Sequence, residues 1–250
     1  MTEETLDHIL GSRLRLYQKK KGYRFSLDSL LLAHFVSLKK HARVIELGCG
    51  NGIIVLILAG IFAQVEFIGL EIQDDLVTLA QKNVRFNNLD RNIKIVKADA
   101  GKIKNYFPAS SFDCVIFNPP YRKLTSGRIN PDSEKAIARH EIKGSLNIFV
   151  NAAKYLLKPS GKVFAIYPAK RLAELILRFR ESNIEPKRMQ LVFSDDVSPA
   201  EFVLIEGRKE SHEELQAEQP LFLYRKDKGY TEELMLIFHK LSSLQDDDAG

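Results

Sequence analysis

Residues 118–121, Asn118-Pro119-Pro120-Tyr121, follow directly on the apolar β-type run DCVIF at 113–117. Two prolines remove backbone donors where an interior strand would need them, so the strand must end there. Their φ, held at about −65°, keeps the segment on one path. The side-chain oxygen of Asn118 and the main-chain carbonyl of Pro119 can together accept both hydrogens of a planar exocyclic amine. That favours the amine's lone pair leaving conjugation with its ring, so the nitrogen can attack an activated methyl group in line. Tyr121 can lie against the planar group, and a base stacked on an aromatic side chain is worth about 1–3 kcal/mol. No general base is demanded, since the proton can leave to solvent after transfer.

A second group lies upstream in VIELGCGNGI, 44–53. A strand running into Gly48, Gly50 and Gly52 and then into a helical pattern is a loop where backbone passes close to a ligand. It lacks the Lys-Ser/Thr of a phosphate-gripping loop. The dinucleotide fingerprint wants its third glycine one place later, where Ile53 stands, and Glu46 precedes the turn, which argues against a nicotinamide cofactor. Glu71 closes the next strand, nineteen positions after Gly52, where an acid can accept from both ribose hydroxyls. Asp99 closes the third strand. One such acid is explained by a helix dipole alone. Three at the carboxyl ends of successive strands, beside a glycine loop, are read as a nucleoside site.

The elements that must position these groups alternate. β-rich runs at 43–47, 65–70, 92–98, 113–117 and 162–168 are separated by helical patterns, the grammar of a parallel α/β sheet. Ser26 reads as the N-cap of a helix over 27–38, Leu76, Leu79, Ala80 and Val84 recur at helical spacing, and an amphipathic helix over 137–157 stops at Lys158-Pro159-Ser160-Gly161. The runs 186–194 and 201–209 have only a loop between them, so they should pair antiparallel at a sheet edge. The expected fold is α/β, doubly wound, with seven mostly parallel strands and an antiparallel C-terminal hairpin. One domain is expected over 1–240, its first 40 residues a basic lid segment, with a disordered tail over 241–250.

The 250 residues carry a net charge of +5, and 28% are charged. The surplus concentrates in RLRLYQKKKGYR, 13–24, where Arg13, Arg15, Lys19, Lys20, Lys21 and Arg24 surround Tyr17 and Tyr23. Such a stretch suits phosphate neutralisation with base stacking, and equally a solvated hairpin. The longest apolar run, Ile53 to Ala63, is shorter than the roughly 18 residues a membrane span needs, and no leader-like segment opens the chain, so a cytoplasmic location is expected. Cys49 and Cys114 form no CxxC pair and the histidines show no ligand spacing, so neither a disulfide framework nor a metal site is expected.

These motifs together resemble the class I S-adenosylmethionine-dependent amino-methyltransferases, and among them the bacterial tRNA1(Val) adenine-N6 methyltransferase family. The matching stretches are GYRFSLDSLLLAHF at 22–35, ELGCGNG at 46–52, Glu71, Ala98-Asp99, NPPY at 118–121 and ARHE at 138–141. The resemblance implies S-adenosyl-L-methionine as cofactor, with Glu46, Gly48 and Gly50 facing its methionine part, Glu71 its ribose, and Asp99 with Ala100 its adenine. Asn118 would border the cofactor and, with Pro119 and Tyr121, hold the target base. The implied substrate is a structured RNA, tRNA foremost, with the base flipped out. Arg122, Lys123 and Arg128, next to the proposed base pocket, are read as a path for the RNA backbone, and equally as an ordinary mobile active-site loop. NPPY also serves ribosomal guanine-N2 and protein glutamine methyltransferases, and a non-catalytic RNA-binding fold is a further alternative. Asp28 and Phe25 are read either as closing over the cofactor or as helix-dipole and core residues. Arg139, His140 and Glu141 are read as a solvated helical segment, because this chemistry needs no base.

Overall fold

A computed structural model describes residues 4–10, 14–20, 26–119 and 146–243. The chain opens with an antiparallel hairpin, β1 (Glu4–Ile9) and β2 (Leu14–Lys19), and continues through helix α1 (Leu27–Phe35) into β3 (Arg43–Leu47). Helix α2 (Ile53–Ile61), β4 (Glu66–Glu71), helix α3 (Asp74–Phe86), β5 (Ile93–Lys97) and β6 (Phe112–Phe117) follow. After the helix Leu146–Leu156 come β7 (Leu157–Pro168), the helix Leu172–Glu181, β8 (Ile184–Phe193), β9 (Ala200–Lys209), two short strands β10 (Gln216–Ala217) and β11 (Leu221–Phe222), and the helix Glu232–Ser243.

The main sheet runs β10-β8-β9-β7-β6-β3-β4-β5, with β11 also on β8. From β3 the chain builds outward through β4 to β5, then crosses back to lay β6 on the other side of β3. All of these pairs are parallel. The strand order therefore reverses between β3 and β6, and in an open α/β sheet that reversal leaves a crevice at the carboxyl ends of the strands. β9 is antiparallel to both β7 and β8, as its short loop to β8 required. The sheet is thus the expected doubly wound one, with two additions. β10 and β11, two residues each, cover the outer side of β8, so the hairpin sits one strand in from the edge. They were not legible because two residues carry no alternation.

The parallel strands read as near-continuous apolar runs because both faces are covered. Adjacent residues alternate between two cores. Val44, Phe67 and Phe164 pack on the face of α1 and α2, while Ile45, Ile68 and Ala165 pack on the face of the helices Leu146–Leu156 and Leu172–Glu181. Helix α2 is apolar all round, and its residues Ile53 to Ala59 are all buried, which is the state such a helix requires. Among the described residues no helix is long and apolar enough to cross a membrane.

Three boundaries differ from expectation. α1 ends at Phe35 rather than residue 38, because Val36 is extended at φ −70°, ψ 133°. Of the helix expected over 137–157, residues 146–156 are helical and 137–145 lie outside the described residues. Its Lys-Pro-Ser-Gly stop is a loop inside β7. Leu157 pairs with Phe112 and Lys162 with Cys114, so residues 158–161 loop out between them, with Ser160 at φ 60°. At the other end the last helix continues to Ser243, three residues past the expected limit of 240.

The hairpin is held by a device that no periodicity announces. A two-stranded hairpin is marginal alone, and the outer edge of β2 presents unpaired backbone groups. Asn83 and Asn87 of α3 pair with them as a surrogate strand. Asn87 accepts from the Arg15 N–H at 3.0 Å and donates to its carbonyl at 2.8 Å, and Asn83 does the same for Tyr17 at 2.8 and 3.1 Å. The spacing matches, because four helical residues rise about 6 Å and two strand residues about 6.6 Å. The second amide hydrogen of Asn83 reaches the Asn51 carbonyl at 3.0 Å, tying the hairpin to the glycine loop. Asn83→Ala should therefore destabilise the chain by about 2–4 kcal/mol in urea unfolding, since it leaves buried backbone groups unpaired. A change within the error of the measurement would show that the hairpin is held by other contacts.

Candidate active site

Leu47 of β3 is in register with Leu70 of β4 and with Phe117 of β6. Gly48, Glu71 and Asn118 consequently stand at one end of three adjacent strands. The Ala98 N–H donates to the Glu71 carbonyl at 2.9 Å, which brings Asp99 to the same edge. The sequence-expected cofactor residues and Asn118 stand along the carboxyl ends of β6, β3, β4 and β5.

The glycine turn is bent by its backbone. Gly48 and Gly50 have φ of +72° and +58°, where a side chain would be strained, and Gly52 at +87° precedes α2. Gly48 N–H and Cys49 N–H both donate to the Leu70 carbonyl, at 2.7 and 2.9 Å. Glu71 clamps the turn from the next strand. One of its carboxylate oxygens accepts from Gly50 N–H at 2.9 Å, and the other from the N–H groups of Ile72 and Gln73 at 2.8 and 2.9 Å.

Glu46 is buried, and its Oε2 accepts from the Val55 N–H in the first turn of α2 at 3.2 Å. Burial pushes its carboxyl well above the usual 4.5; the Val55 bond opposes the shift and the charge of Glu71 adds to it. A raised native pKa means that the folded chain keeps a proton the unfolded chain has lost. Stability should be full below pH 4.5 and fall by about 1.4 kcal/mol per pH unit from there up to the native pKa. Glu46→Gln should abolish that slope and be the more stable form above the window, as read by urea unfolding across pH. An unchanged slope would assign the proton elsewhere.

Asp99 Oδ1 accepts from the Gly101 N–H at 2.9 Å and caps the 3₁₀ turn Ala100–Asn105, whose first residue Ala100 is buried. Asn118 is half-buried and its amide nitrogen donates to Asp28 Oδ2 at 3.1 Å; Pro119 is buried. Tyr121 lies outside the described residues, as do Pro120, Phe25, Arg122, Lys123, Arg128, Arg139, His140 and Glu141.

Where it is described, the basic, aromatic stretch at 13–24 is the second strand of the hairpin and is packed in part against α3. Gln18 and Lys19 are buried, Lys19 pairs with Asp75 at 3.2 Å, and Arg15 lies over the Phe86 ring at 4.3 Å. Tyr17 meets Phe86 edge-on at 4.9 Å and carries Lys82 over its ring at 3.5 Å. These groups bind the hairpin to α3, with Arg15 still exposed. Arg13, Lys21, Tyr23 and Arg24 lie outside the described residues.

Sequence reasoning passed over Asn51 and Asn83 and left Asp28 undecided. All three are buried. Asn51 Oδ1, inside the glycine turn, has no hydrogen-bond partner among the described residues. The available signal was an asparagine between two glycines and another within an apolar helix face. Among the described residues no group of three or more His, Cys, Asp and Glu side chains gathers as metal ligands would.

A doubly wound sheet with a glycine turn and buried carboxylates at its reversal point is a nucleoside-cofactor architecture. The chain belongs to the methyltransferase domain family, whose model matches residues 38–219, and it is an enzyme of methyl transfer. It is 26% identical over 229 residues to a tRNA1(Val) (adenine(37)-N6)-methyltransferase of Tolumonas auensis, covering 88% of this chain and 90% of that one. A protein of the same name from Porphyromonas gingivalis is 31% identical over 173 residues, 66% of each chain. The crystal structure of a predicted O-methyltransferase, Atu636 of Agrobacterium tumefaciens, superposes with a TM-score of 0.69 at 19% identity, over 88% of this chain and 97% of that one. A SAM-dependent methyltransferase from Aquifex aeolicus shares the fold at a TM-score of 0.53 and 16% identity, over 72% and 89%.

Proposed function

We propose that the chain methylates the exocyclic N6 amine of an adenine in a structured RNA, tRNA foremost, using S-adenosyl-L-methionine. The observation that carries the reading is the position of Asn118. Its carboxamide follows β6 immediately, one strand away from the glycine turn, at the reversal point where a cofactor and a second ligand can meet.

The residues fit a cationic, ribose-bearing group. Burial, and after it the neighbouring Glu71, disfavour the ionised form of Glu46, and a positively charged ligand would relieve that penalty. The buried Asn51 oxygen supplies a further acceptor in the turn. When bound, the cofactor supplies a methyl group on positively charged sulfur. Glu46 and the turn at Gly48 and Gly50 would hold its methionine part, Glu71 its ribose, and Asp99 with Ala100 its adenine. Asn118 Oδ1 and the Pro119 carbonyl accept the hydrogens of the target amine and orient its lone pair, and Tyr121 is assigned to stack on the base. None of these groups has to take a proton. The names of these relatives support adenine in tRNA as the target.

Mass spectrometry of nucleosides from tRNA and rRNA incubated with the chain and S-adenosyl-L-methionine tests this directly. N6-methyladenosine in the tRNA fraction is the expected product. Methylguanosine, or methylation of protein glutamine alone, would reassign the substrate, and no transfer to any of them would sink the proposal.

A further inference from the structure

We propose that Asp28 is a positioning residue that fixes which edge of the Asn118 carboxamide faces the target amine; the role rests on the reading of Asn118 as acceptor given above. Asp28 is buried in the first turn of α1. Its Oδ1 accepts from the Ser29 N–H at 2.9 Å and from the Ser26 hydroxyl. Its Oδ2 accepts from Asn118 Nδ2 at 3.1 Å, across 90 positions of sequence. Both Asp28 oxygens act as acceptors, so it is the NH2 edge of the amide that faces them. The carbonyl edge is thereby turned the other way. Were the amide rotated by half a turn, two oxygens would meet at Asp28, and Asn118 would offer donors to a substrate amine that needs acceptors.

A first-turn acid also complements its helix dipole, but the dipole requires no bond to Asn118. The two roles separate on substitution. In Asp28→Asn the Ser29 N–H can only donate, so the introduced amide must keep its oxygen there and turn its NH2 toward Asn118. Asn118 can accept that NH2 only by rotating, which inverts its catalytic edge. Adding Asn118→Asp restores the logic: one oxygen of the new carboxylate accepts from the introduced amide and the other accepts from the substrate.

The full chain, assayed with S-adenosyl-L-methionine and the RNA it methylates, should lose about 10²-fold in kcat on Asp28→Asn, with cofactor affinity and melting temperature near the parent values. The double variant Asp28→Asn/Asn118→Asp should recover about tenfold or more of that loss. A purely structural acid would give no such rescue. Parent-like turnover in Asp28→Asn, or a double variant no faster than the single one, overturns the proposal. The side-chain amide protons of Asn118 give a readout independent of activity. In the parent protein their nitrogen–proton NMR signals should show slow exchange, and Asp28→Asn should shift them; fast exchange in the parent overturns the pairing. Failure of the parent chain to methylate any RNA would instead sink the function proposed above, with the amide signals still deciding the pair.

Discussion

Asn118→Ala is expected to lower methyl transfer by about 10²–10³-fold, the range seen when one preorganised polar group is removed from a transition state. The loss should fall on kcat. In the proposed reaction Asn118 would supply an acceptor whose value depends on the amine nitrogen changing shape as it reacts, and an interaction that strengthens only along the reaction coordinate does not appear in substrate affinity. Cofactor affinity should change far less than turnover, because the turn at Gly48–Gly52 and the Glu71 clamp do not involve this amide. Folding should weaken by about 1–3 kcal/mol, since the change removes a donor from the buried Asp28 carboxylate. Turnover of Asn118→Ala at the parent rate, measured with labelled cofactor on tRNA, would contradict the assignment of the catalytic edge. A loss confined to KM would instead make Asn118 a binding residue only.

Glu71→Ala should be the most damaging change to cofactor binding, by about 10–100-fold in affinity, as read by calorimetry. The magnitude follows from one charge-assisted bond to a ribose hydroxyl at about 1.5–3 kcal/mol, since three of the carboxylate's roughly four acceptor sites already take backbone N–H groups. The same change removes the acceptor for three backbone N–H groups, of Gly50, Ile72 and Gln73, so the apo chain should also lose about 2–4 kcal/mol of stability. Glu71→Gln separates the contributions. Its amide can offer an oxygen either to Gly50 or to the Ile72 and Gln73 pair, but not to both, so it should sit between parent and Ala in stability. Parent-like cofactor affinity in Glu71→Ala would move the ribose elsewhere on the sheet edge.

Under the proposed function, the arrangement of the site would let a chain with a modest charge surplus take a cation and an amine together. The carboxyls sit deep at the end of β3 and β4, and the amide sits at the end of β6 on the other side of β3. Reversal of strand order separates the two by one strand, close enough for one ligand to reach the other. The hairpin, held by Asn83 and Asn87, braces the glycine turn from behind through the Asn51 carbonyl.

Much of this was written in local sequence. Apolar runs broken by Gly48, Gly50, Gly52 and by Pro119-Pro120 determined where strands end, because glycine alone tolerates positive φ without strain and proline has no N–H to give a neighbouring strand. Acids at the ends of β-type runs come to one edge, since parallel strands bring their carboxyl ends to one side. What only the tertiary structure decided were pairings between distant amides and acids. Asp28 meets Asn118 and Asn83 meets Tyr17 across 90 and 66 positions. Asparagine and aspartate look alike in sequence whether they face water or cap a buried edge, because hydrogen bonding is satisfied by any partner of the right polarity. Which partner is present depends on how the sheet and its helices close around it.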